Sequence, residues 1–253
     1  TRIYFLPSDF KIKKKKKKSI DYKGGLYYQG IIKGNDNTMA AISIFENEVI
    51  GIISTGEGNY NLGSITDDRG DNTNQYILYN EIDLKKEQSF ICGVEGRNLE
   101  LNRSNSRIKG NISDNTSTTQ PVRMYYVCDY QMYLDKGNNS NNVVNYVTAV
   151  FNQVKLLYQN ETIPMVMAPS IFVYDSADPY RSYGTEQTFE ILKAFGTNTK
   201  HNFVGDLAQL ISTRTPVTGA IAWINVLCQS FEPTSQSGPF AFSEIENTYQ
   251  NVP

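Results

Sequence analysis

Few side chains in this 253-residue sequence are suited to metal or acid–base chemistry. The sequence has one histidine, His201, and three cysteines, Cys92, Cys128 and Cys228. A thiolate is a strong zinc ligand, and Cys92 precedes Gly93, whose missing side chain lets the backbone enter a crowded cleft. One imidazole and scattered carboxylates cannot build a three-ligand site, so we expect His201 to be structural or exposed. The sequence predicts one candidate metal ligand, Cys92, and no catalytic residue in this chain.

A second candidate site is an apolar run that consists of Gly219, Ala220, Ile221, Ala222 and Trp223. If this run forms the exposed edge strand of a sheet, its unpaired amides and carbonyls can bind an extended peptide as one more strand. We therefore predict that the run aligns a peptide or protein substrate. The alternative is that it is merely the end of a sheet.

The first part of the chain is predicted to be all β. Apolar and aromatic runs occupy residues 26–32, 39–45, 49–54, 60–65 and 76–80, and polar clusters rich in Gly, Asn and Asp separate most of them. Strands bounded in this way are typical of an antiparallel meander or a small barrel. We expect almost no helix in this part of the chain.

After residue 121 the hydrophobic period changes. Apolar residues three and four positions apart predict a helix over residues 143–158, after a cap-rich loop at 138–142. A second helix is predicted over residues 185–195, closed by Gly196. The predicted strands are residues 122–134, 165–174, 202–213 and 219–228. This order predicts an α/β unit with a mostly parallel sheet, crossover helices and one antiparallel edge strand, and an α+β chain as a whole.

Residues 98–120 are mainly Asn, Ser, Thr, Arg and Gly, a composition that cannot bury enough apolar surface to order itself. We therefore predict a linker there, between a β-rich domain at residues 1–97 and a second domain at residues 121–253. Basic residues in this linker offer cleavage points for processing, although they are also simply soluble.

Charge and hydropathy exclude two classes of partner. The net charge is only −2, which gives no field for nucleic acid, and no apolar run reaches the roughly 20 residues of a membrane helix. The exception is local, because residues 11–18 contain seven lysines. Such a run is most often a solvated strand extension or a disordered arm, and the alternative is a polyanion-binding segment.

Several segments carry a resemblance to one family. The segments are LYYQG at residues 26–30, CGV at 92–94, RMYYVCD at 123–129, HNFVGDLAQL at 201–210 and GAIAW at 219–223. The first resembles the prodomain of reprolysin (adamalysin-type) metallopeptidases, which are metzincins, and the second resembles that family's cysteine switch. The other three resemble strands in the N-terminal half of the reprolysin catalytic domain.

The resemblance implies a secreted or cell-surface zinc endopeptidase kept as a zymogen. In this reading the chain is the propeptide plus part of the protease, and its partner is the missing C-terminal half of the catalytic domain, which carries HExxHxxGxxH. Cys92 would be the prodomain zinc ligand, and zinc would be the cofactor of the complete enzyme but not of this chain alone. The resemblance also allows a calcium site that includes Asp206, and a disulfide from Cys228 to a later cysteine.

Two alternatives stay open. The chain could instead be a non-enzymatic binding or structural protein derived from a reprolysin precursor. Cys128 is most simply a buried thiol, although a bond between Cys128 and Cys228 is compatible with a secreted setting.

If the chain lacks the helix that follows in the family, its α/β half should expose an apolar face that its own two helices do not cover.

Overall fold

A computed structural model describes residues 2–4, 10–15, 19–66, 72–83, 91–92, 120–200, 202–227 and 229–245. Within these residues the chain forms two β-sheets and three α-helices. The strands are β1 (Arg2–Tyr4), β2 (Lys11–Lys14), β3 (Ile20–Asp21), β4 (Leu26–Ile32), β5 (Asn35–Ile44), β6 (Val49–Thr55), β7 (Gly58–Thr66), β8 (Asn72–Asn80), β9 (Ile91–Cys92), β10 (Val122–Cys128), β11 (Met165–Met167), β12 (Ser170–Val173), β13 (Leu207–Ser212), β14 (Gly219–Ala222) and β15 (Phe240–Glu244). The helices are α1 (Tyr130–Asp135), α2 (Ser140–Asn160) and α3 (Thr188–Thr199).

The first sheet is an antiparallel meander with the order β1-β4-β5-β6-β7-β8. The strands β4 to β8 follow one another directly, as the alternation of apolar runs and turns predicted. The turn between β4 and β5 contains Gly34, whose φ of 83° lies in the left-handed region that glycine adopts at little cost. Among the described residues before position 97, the only helical element is the short 3₁₀ turn Glu81–Asp83. The all-β prediction is confirmed for the described residues of this part of the chain.

The second sheet has the order β3-β2-β12-β10-β13-β15-β14-β9, and β11 also pairs with β10. β10 is parallel to β12 and to β13, and β13 is parallel to β15. Helix α2 connects β10 to β11 and β12 on one side, and α3 leads to β13 on the other. β14 is antiparallel to β15. β3 is likewise antiparallel to its neighbour β2. The mostly parallel, mixed sheet with crossover helices is therefore confirmed, but the described sheet has two antiparallel pairings where the sequence predicted one antiparallel edge strand.

Helix α2 lies between the two sheets. Asn139 caps it, because the side-chain oxygen of Asn139 accepts a hydrogen bond from the N–H of Asn141 at 2.9 Å. One side of the helix, which includes Val143 and Phe151, packs in a core with residues of β10, β11 and β12. On another side Ala149 packs against Tyr27 and Ile50 of the first sheet and against Phe45 in the turn between β5 and β6. The helix is therefore buried on two sides, which explains its fully buried residues along most of its length.

Polar groups join α2 to the first sheet as well. The Asn152 side chain is completely buried. Its amide nitrogen lies 3.3 Å from the carbonyl oxygens of Tyr28 and Ile42 and 3.2 Å from Ser43 Oγ. Gln29 Nε2 donates back to Asn152 Oδ1 at 3.1 Å. Buried amides that are fully bonded fix one relative placement of the groups that share them.

Helix α3 covers the opposite face of the second sheet. Its buried residues Ile191, Leu192 and Phe195 pack in a second core with Phe240 and Phe242 of β15. The prediction that this helix closes at Gly196 is wrong. The helix continues to Thr199, and Gly196 lies inside it, where a Cβ atom would be 3.1 Å from a ring carbon of Phe240. The glycine serves close packing here rather than helix termination.

Several predicted strand boundaries are also wrong. The strand predicted over residues 122–134 ends at Cys128, and α1 follows, because Asp129 Oδ1 accepts from the N–H of Met132 at 2.9 Å and starts a helix. The strand predicted over 165–174 is two strands, separated at Ala168 and Pro169. The strands predicted over 202–213 and 219–228 shorten to β13 and β14. These errors concern apolar loops and the short helix α1, where composition resembles that of a strand.

The sheets do not follow the predicted boundaries at residues 97 and 121. β2, β3 and β9 lie before residue 97, but all three are part of the second sheet. In the lysine-rich run, residues 11–14 form β2, where Ile12 is fully buried. The domain boundaries stay a prediction, and the predicted linker lies outside the described residues except for Gln120. None of the described helices is long and apolar enough to cross a membrane.

The expected apolar face on the α/β half is not found among its described residues. On the α2 side of β13 and β15 the central half-buried residues are Gln209, Ala241 and Ser243, and Gln209 Nε2 donates to Ser243 Oγ at 2.8 Å. The exposed large apolar residues described after position 120 lie at a helix end and in loops: Leu157, Tyr158, Ile163, Val204 and Leu227. These open sheet positions carry small or polar side chains. Phe10 and Ile12, from before residue 97, pack against the core of the α/β half in this structure, so the expectation for that half alone stays a prediction.

Asn152→Ala should destabilise the fold by about 2–4 kcal/mol, because it removes a buried amide and leaves Gln29 without one acceptor. The measurement is the midpoint of urea unfolding. Asn141→Ala is the matched control, since Asn141 is exposed on the same helix, and it should change stability by less than about 0.5 kcal/mol. Equal effects of the two substitutions would contradict a bond network between α2 and the first sheet.

Candidate functional site

Strand β14 is the centre of the candidate site. It runs antiparallel to β15, with Ala220 opposite Ser243, and Ala222 opposite Ala241. Ile221 is 2% exposed and anchors the strand in the second core. The neighbouring Ala220 and Ala222 are half-buried and face the other side of the sheet. Because successive residues of a strand alternate in direction, one set of side chains is buried in the core. In the same way, alternate backbone N–H and C=O groups face β15, and the others face away from it, where a further strand can bind.

The other side of β14 pairs with β9. The pairing is parallel, with Gly219 opposite Ile91 and Ala220 opposite Cys92. Cys92 is a free, exposed cysteine. β14 was predicted to be an exposed edge strand, and this is wrong in the described structure, because β9 is the outermost strand there. The two regions that the sequence marked separately, at Cys92 and at residues 219–223, are neighbours.

Trp223 lies directly after β14 and continues its attachment to the sheet. Its N–H donates to the Phe240 carbonyl at 3.2 Å. Its ring packs edge-on against Phe189 of α3, with ring centroids 5.7 Å apart. Its indole Nε1 is buried and has no hydrogen-bond partner in the described structure. Trp223 therefore ties the far end of β14 to α3.

Glu244 holds the other end of β14. This residue is 1% exposed and lies at the end of β15. Its Oε2 accepts from the backbone N–H of Thr218 at 2.8 Å and lies 2.6 Å from the Thr218 hydroxyl. Thr218 immediately precedes Gly219, so the buried carboxyl group fixes the point at which β14 begins. A buried polar group with a backbone partner is a strong local constraint.

A second buried polar cluster lies at the carboxyl ends of β10 and β13. Asp129 Oδ2 accepts from Ser212 Oγ at 2.6 Å and lies 3.5 Å from Arg214 Nε. The Arg214 guanidinium also donates to the carbonyl oxygens of Tyr180 and Tyr183, at 3.3 and 3.0 Å. The cluster thus attaches the loop before α3 to the centre of the sheet.

The environment of Asp129 shifts its titration. Burial raises the pKa of Asp129 to about 6, against hydrogen bonds from Ser212 and the Met132 N–H that lower it. The carboxyl group is therefore ionised at pH 7 and above, where it is the counter-charge of Arg214. The arginine side chain is 12% exposed, so the pair is largely shielded from water.

Asp206, the candidate calcium ligand, has a protein partner. It accepts from the backbone N–H of Arg123 at 2.8 Å and from Arg123 Nη2 at 3.1 Å. The hydrogen bond from the Arg123 guanidinium holds the pKa of Asp206 below its ordinary range. A calcium ion would have to compete with this guanidinium for the same carboxylate oxygens. The calcium site stays a prediction.

The described residues do not fit a zinc site by themselves. No group of three or more His, Cys, Asp or Glu side chains in the described part of the chain could hold a metal ion. His201 and Cys228 lie outside the described residues. Cys128 is a free thiol with no exposed surface, as predicted, and burial raises its pKa. Cys92 is therefore one candidate ligand without a described set around it.

Sequence reasoning missed three residues that shape the site. Glu244 and Arg214 gave no signal, because a single charged residue has no periodicity. The Thr218 groups bound by Glu244 and the tyrosine carbonyls bound by Arg214 also lie 26 or more positions away in the chain. Asp129 did carry a signal, since aspartate is a typical N-cap residue. Its side chain accepts from the backbone N–H three positions later, at Met132. The pairing of β9 with β14 could not be seen, because a two-residue strand has no periodicity.

Comparison with known proteins gives little more. No family model matches the chain, and no curated protein matches it. Among solved structures, the chain is similar to metalloproteinase-II from Bacteroides fragilis, with 11% sequence identity and a TM-score of 0.42. The match covers 97% of this chain and 71% of that chain. A likeness at that level supports no statement about the chemistry of this chain.

Asp129→Ala should destabilise the chain by about 3–5 kcal/mol at pH 7.5, because it leaves the Arg214 guanidinium buried without its counter-charge and removes the cap of α1. The measurement is urea unfolding. Asp206→Ala is the control, since it breaks a partly exposed pair with Arg123 and should cost at most about 1 kcal/mol. A loss for Asp129→Ala no larger than that of the control would show that the buried cluster does not stabilise the sheet.

Proposed function

We propose that this chain is the prodomain and part of the catalytic domain of a secreted zinc-dependent endopeptidase. In this proposal β14 aligns a peptide or protein substrate, and the segment around Cys92 keeps the precursor latent. The observation that carries the proposal is the pairing of Ala220 with Cys92, because Cys92, the candidate switch residue, is next to β14, the candidate substrate strand. The sequence resemblance to reprolysin precursors supports the same assignment.

Strand addition explains how one segment can block another. A peptide bound at β14 would form its ladder with the same N–H and C=O groups that now face β9. Occupation by β9 and by a peptide is therefore mutually exclusive at Gly219 and Ala220. The residues that fix β14 are Glu244 at its start and Trp223 at its end, and in this proposal they position the strand for either occupant.

The occupant is weakly held, which a latency segment requires. β9 contributes two residue pairs to β14. Each backbone hydrogen bond contributes only about 1 kcal/mol net, so the segment can leave without unfolding the sheet. A long, regular strand at the same place would be a permanent part of the fold instead.

The zinc of the complete enzyme is part of the proposal, and its other ligands would come from outside the described residues. Zinc would supply the Lewis acid for peptide hydrolysis when bound. This chain's own contribution is the Cys92 thiol and the docking strand. The partner that the proposal requires is the C-terminal half of a reprolysin-like catalytic domain, which carries the zinc-binding residues in that family.

The latency part can be tested with a peptide that copies residues 88–95 and carries a fluorescent label. Ile91→Pro should increase the affinity of the chain for this peptide at least about tenfold, because proline removes a ladder hydrogen bond and frees β14. Fluorescence anisotropy measures the binding. Cys92→Ser is the control, since it keeps the backbone pairs and should leave the affinity unchanged. An Ile91→Pro chain that is folded but binds the peptide no better than the parent would rule out β14 as the docking strand.

The enzymatic part is tested by metal content and cleavage. Purified residues 1–253 should contain no stoichiometric zinc and cleave no peptide, because one imidazole cannot complete a three-ligand site. The natural protein should contain zinc and show chelator-sensitive cleavage. Zinc and chelator-sensitive cleavage in purified residues 1–253 would overturn the first expectation. Their absence from the natural protein would favour a non-enzymatic protein.

A further inference from the structure

The first sheet has an inner face and an outer face. The inner face, with Tyr27, Ser43 and Ile50, packs on α2 or carries the polar groups bonded to it. The register pairs Tyr28 with Ile42 and Leu62 with Leu78, which places these residues on the opposite face. We define the outer face by nine residues: Leu26, Tyr28, Ile42, Ile44, Ile53, Tyr60, Leu62, Tyr76 and Leu78.

The apolar side chains of the outer face are substantially exposed to solvent. Leu26 is 49% exposed, Ile44 37%, Tyr76 44% and Leu78 53%, and the other five residues are half-buried. These residues run across five neighbouring strands, from β4 to β8, so they form one contiguous surface. An apolar surface of this extent on a folded protein usually marks an interaction site.

The outer face also has no charge. The strands β4 to β8 contain one charged residue, Asp36, which lies beside the turn between β4 and β5. Protein surfaces that stay in water normally carry interspersed charged side chains and no large apolar patch. An acidic or basic partner would find nothing to pair with here. A partner with the same uncharged surface would meet no like-charge repulsion.

The size of the face fits a dimer. Five strands about 4.8 Å apart and about seven residues long form a face on the order of 600 Å² in projection. The accessible surface lost on contact is larger than the projection, because side chains corrugate the face. It approaches the roughly 800 Å² per partner of a standard stable interface.

We propose that the outer face binds the outer face of a second copy of this chain. The two sheets would stack face to face, about 10 Å apart, as in a two-sheet sandwich. A twofold arrangement uses the same surface on both copies, which an uncharged and apolar face permits. The face lies on the sheet that does not contain β14, so this inference is independent of the proposed protease function.

The test is the oligomeric state of the purified chain, measured by sedimentation equilibrium. The parent should be a dimer at micromolar concentration. Leu26→Glu and Leu78→Glu, at opposite ends of the face, should each raise the dimer dissociation constant at least about thirtyfold, because each buries a carboxylate at the contact. Gln75→Glu is the matched control, since Gln75 is exposed on the opposite face of β8, and it should leave the constant unchanged.

Three results would overturn the inference. One is a parent that stays monomeric at about 100 µM, well above the micromolar range of a weak specific interface. Another is a dimer that only Leu78→Glu weakens. This would indicate edge-to-edge pairing through β8, since Leu26 is on β4, near the other edge of the sheet. The third is a dimer that neither glutamate affects. Circular dichroism establishes that each variant is folded, and Leu26→Ser and Leu78→Ser replace any glutamate variant that is not.

Discussion

The burial of α2 between the two sheets is the constraint on which the other features depend. A helix on the surface of an α/β sheet normally has one apolar face and one solvated face. In α2 a second side contacts Tyr27 and Phe45, and the buried Asn152 bonds to backbone carbonyls of β4 and β5. Each large side chain buried there contributes about 2 kcal/mol. The first sheet is therefore attached to the second unit through the helix, and not only through the chain that connects them.

Strands from before residue 97 also form both edges of the second sheet. β2 and β3 pair beyond β12 at one edge, and β9 pairs beyond β14 at the other. Unpaired edge strands are places where other chains add, so covering them protects the sheet. The two covers differ in permanence. β2 pairs with β12 over four residues and contributes the fully buried Ile12, whereas β9 contributes two residue pairs and an exposed cysteine.

The sequence predicts those parts of the fold whose signals are local and repeated. The strands β4 to β8 have turn residues between most of them, and α2 has a capping residue and a buried stripe, so all of them were predicted with small boundary errors. Predictions failed where an apolar segment was not regular, as at residues 129–134, where Asp129 begins a helix. The contacts of β2 and β9 depend on residues more than 100 positions away in the chain, and no local pattern encodes such a register. For the same reason the candidate site was predicted as two separate pieces, Cys92 and residues 219–223.

The different strengths of the contacts made by α2 and by β9 decide the order in which these contacts can be lost. A cut between residues 97 and 121 would separate the two predicted domains in the chain, but it would leave Tyr27, Phe45 and Asn152 in their places on α2. The pairs between β9 and β14 are the weaker link, because they bury little apolar surface and rest on a few backbone hydrogen bonds. β14 itself remains fixed by Glu244 and by Ile221 in the second core. The structure therefore allows β9 to leave β14 while the first sheet stays packed on α2, so the β9–β14 pairing and the attachment of the first sheet can be lost separately.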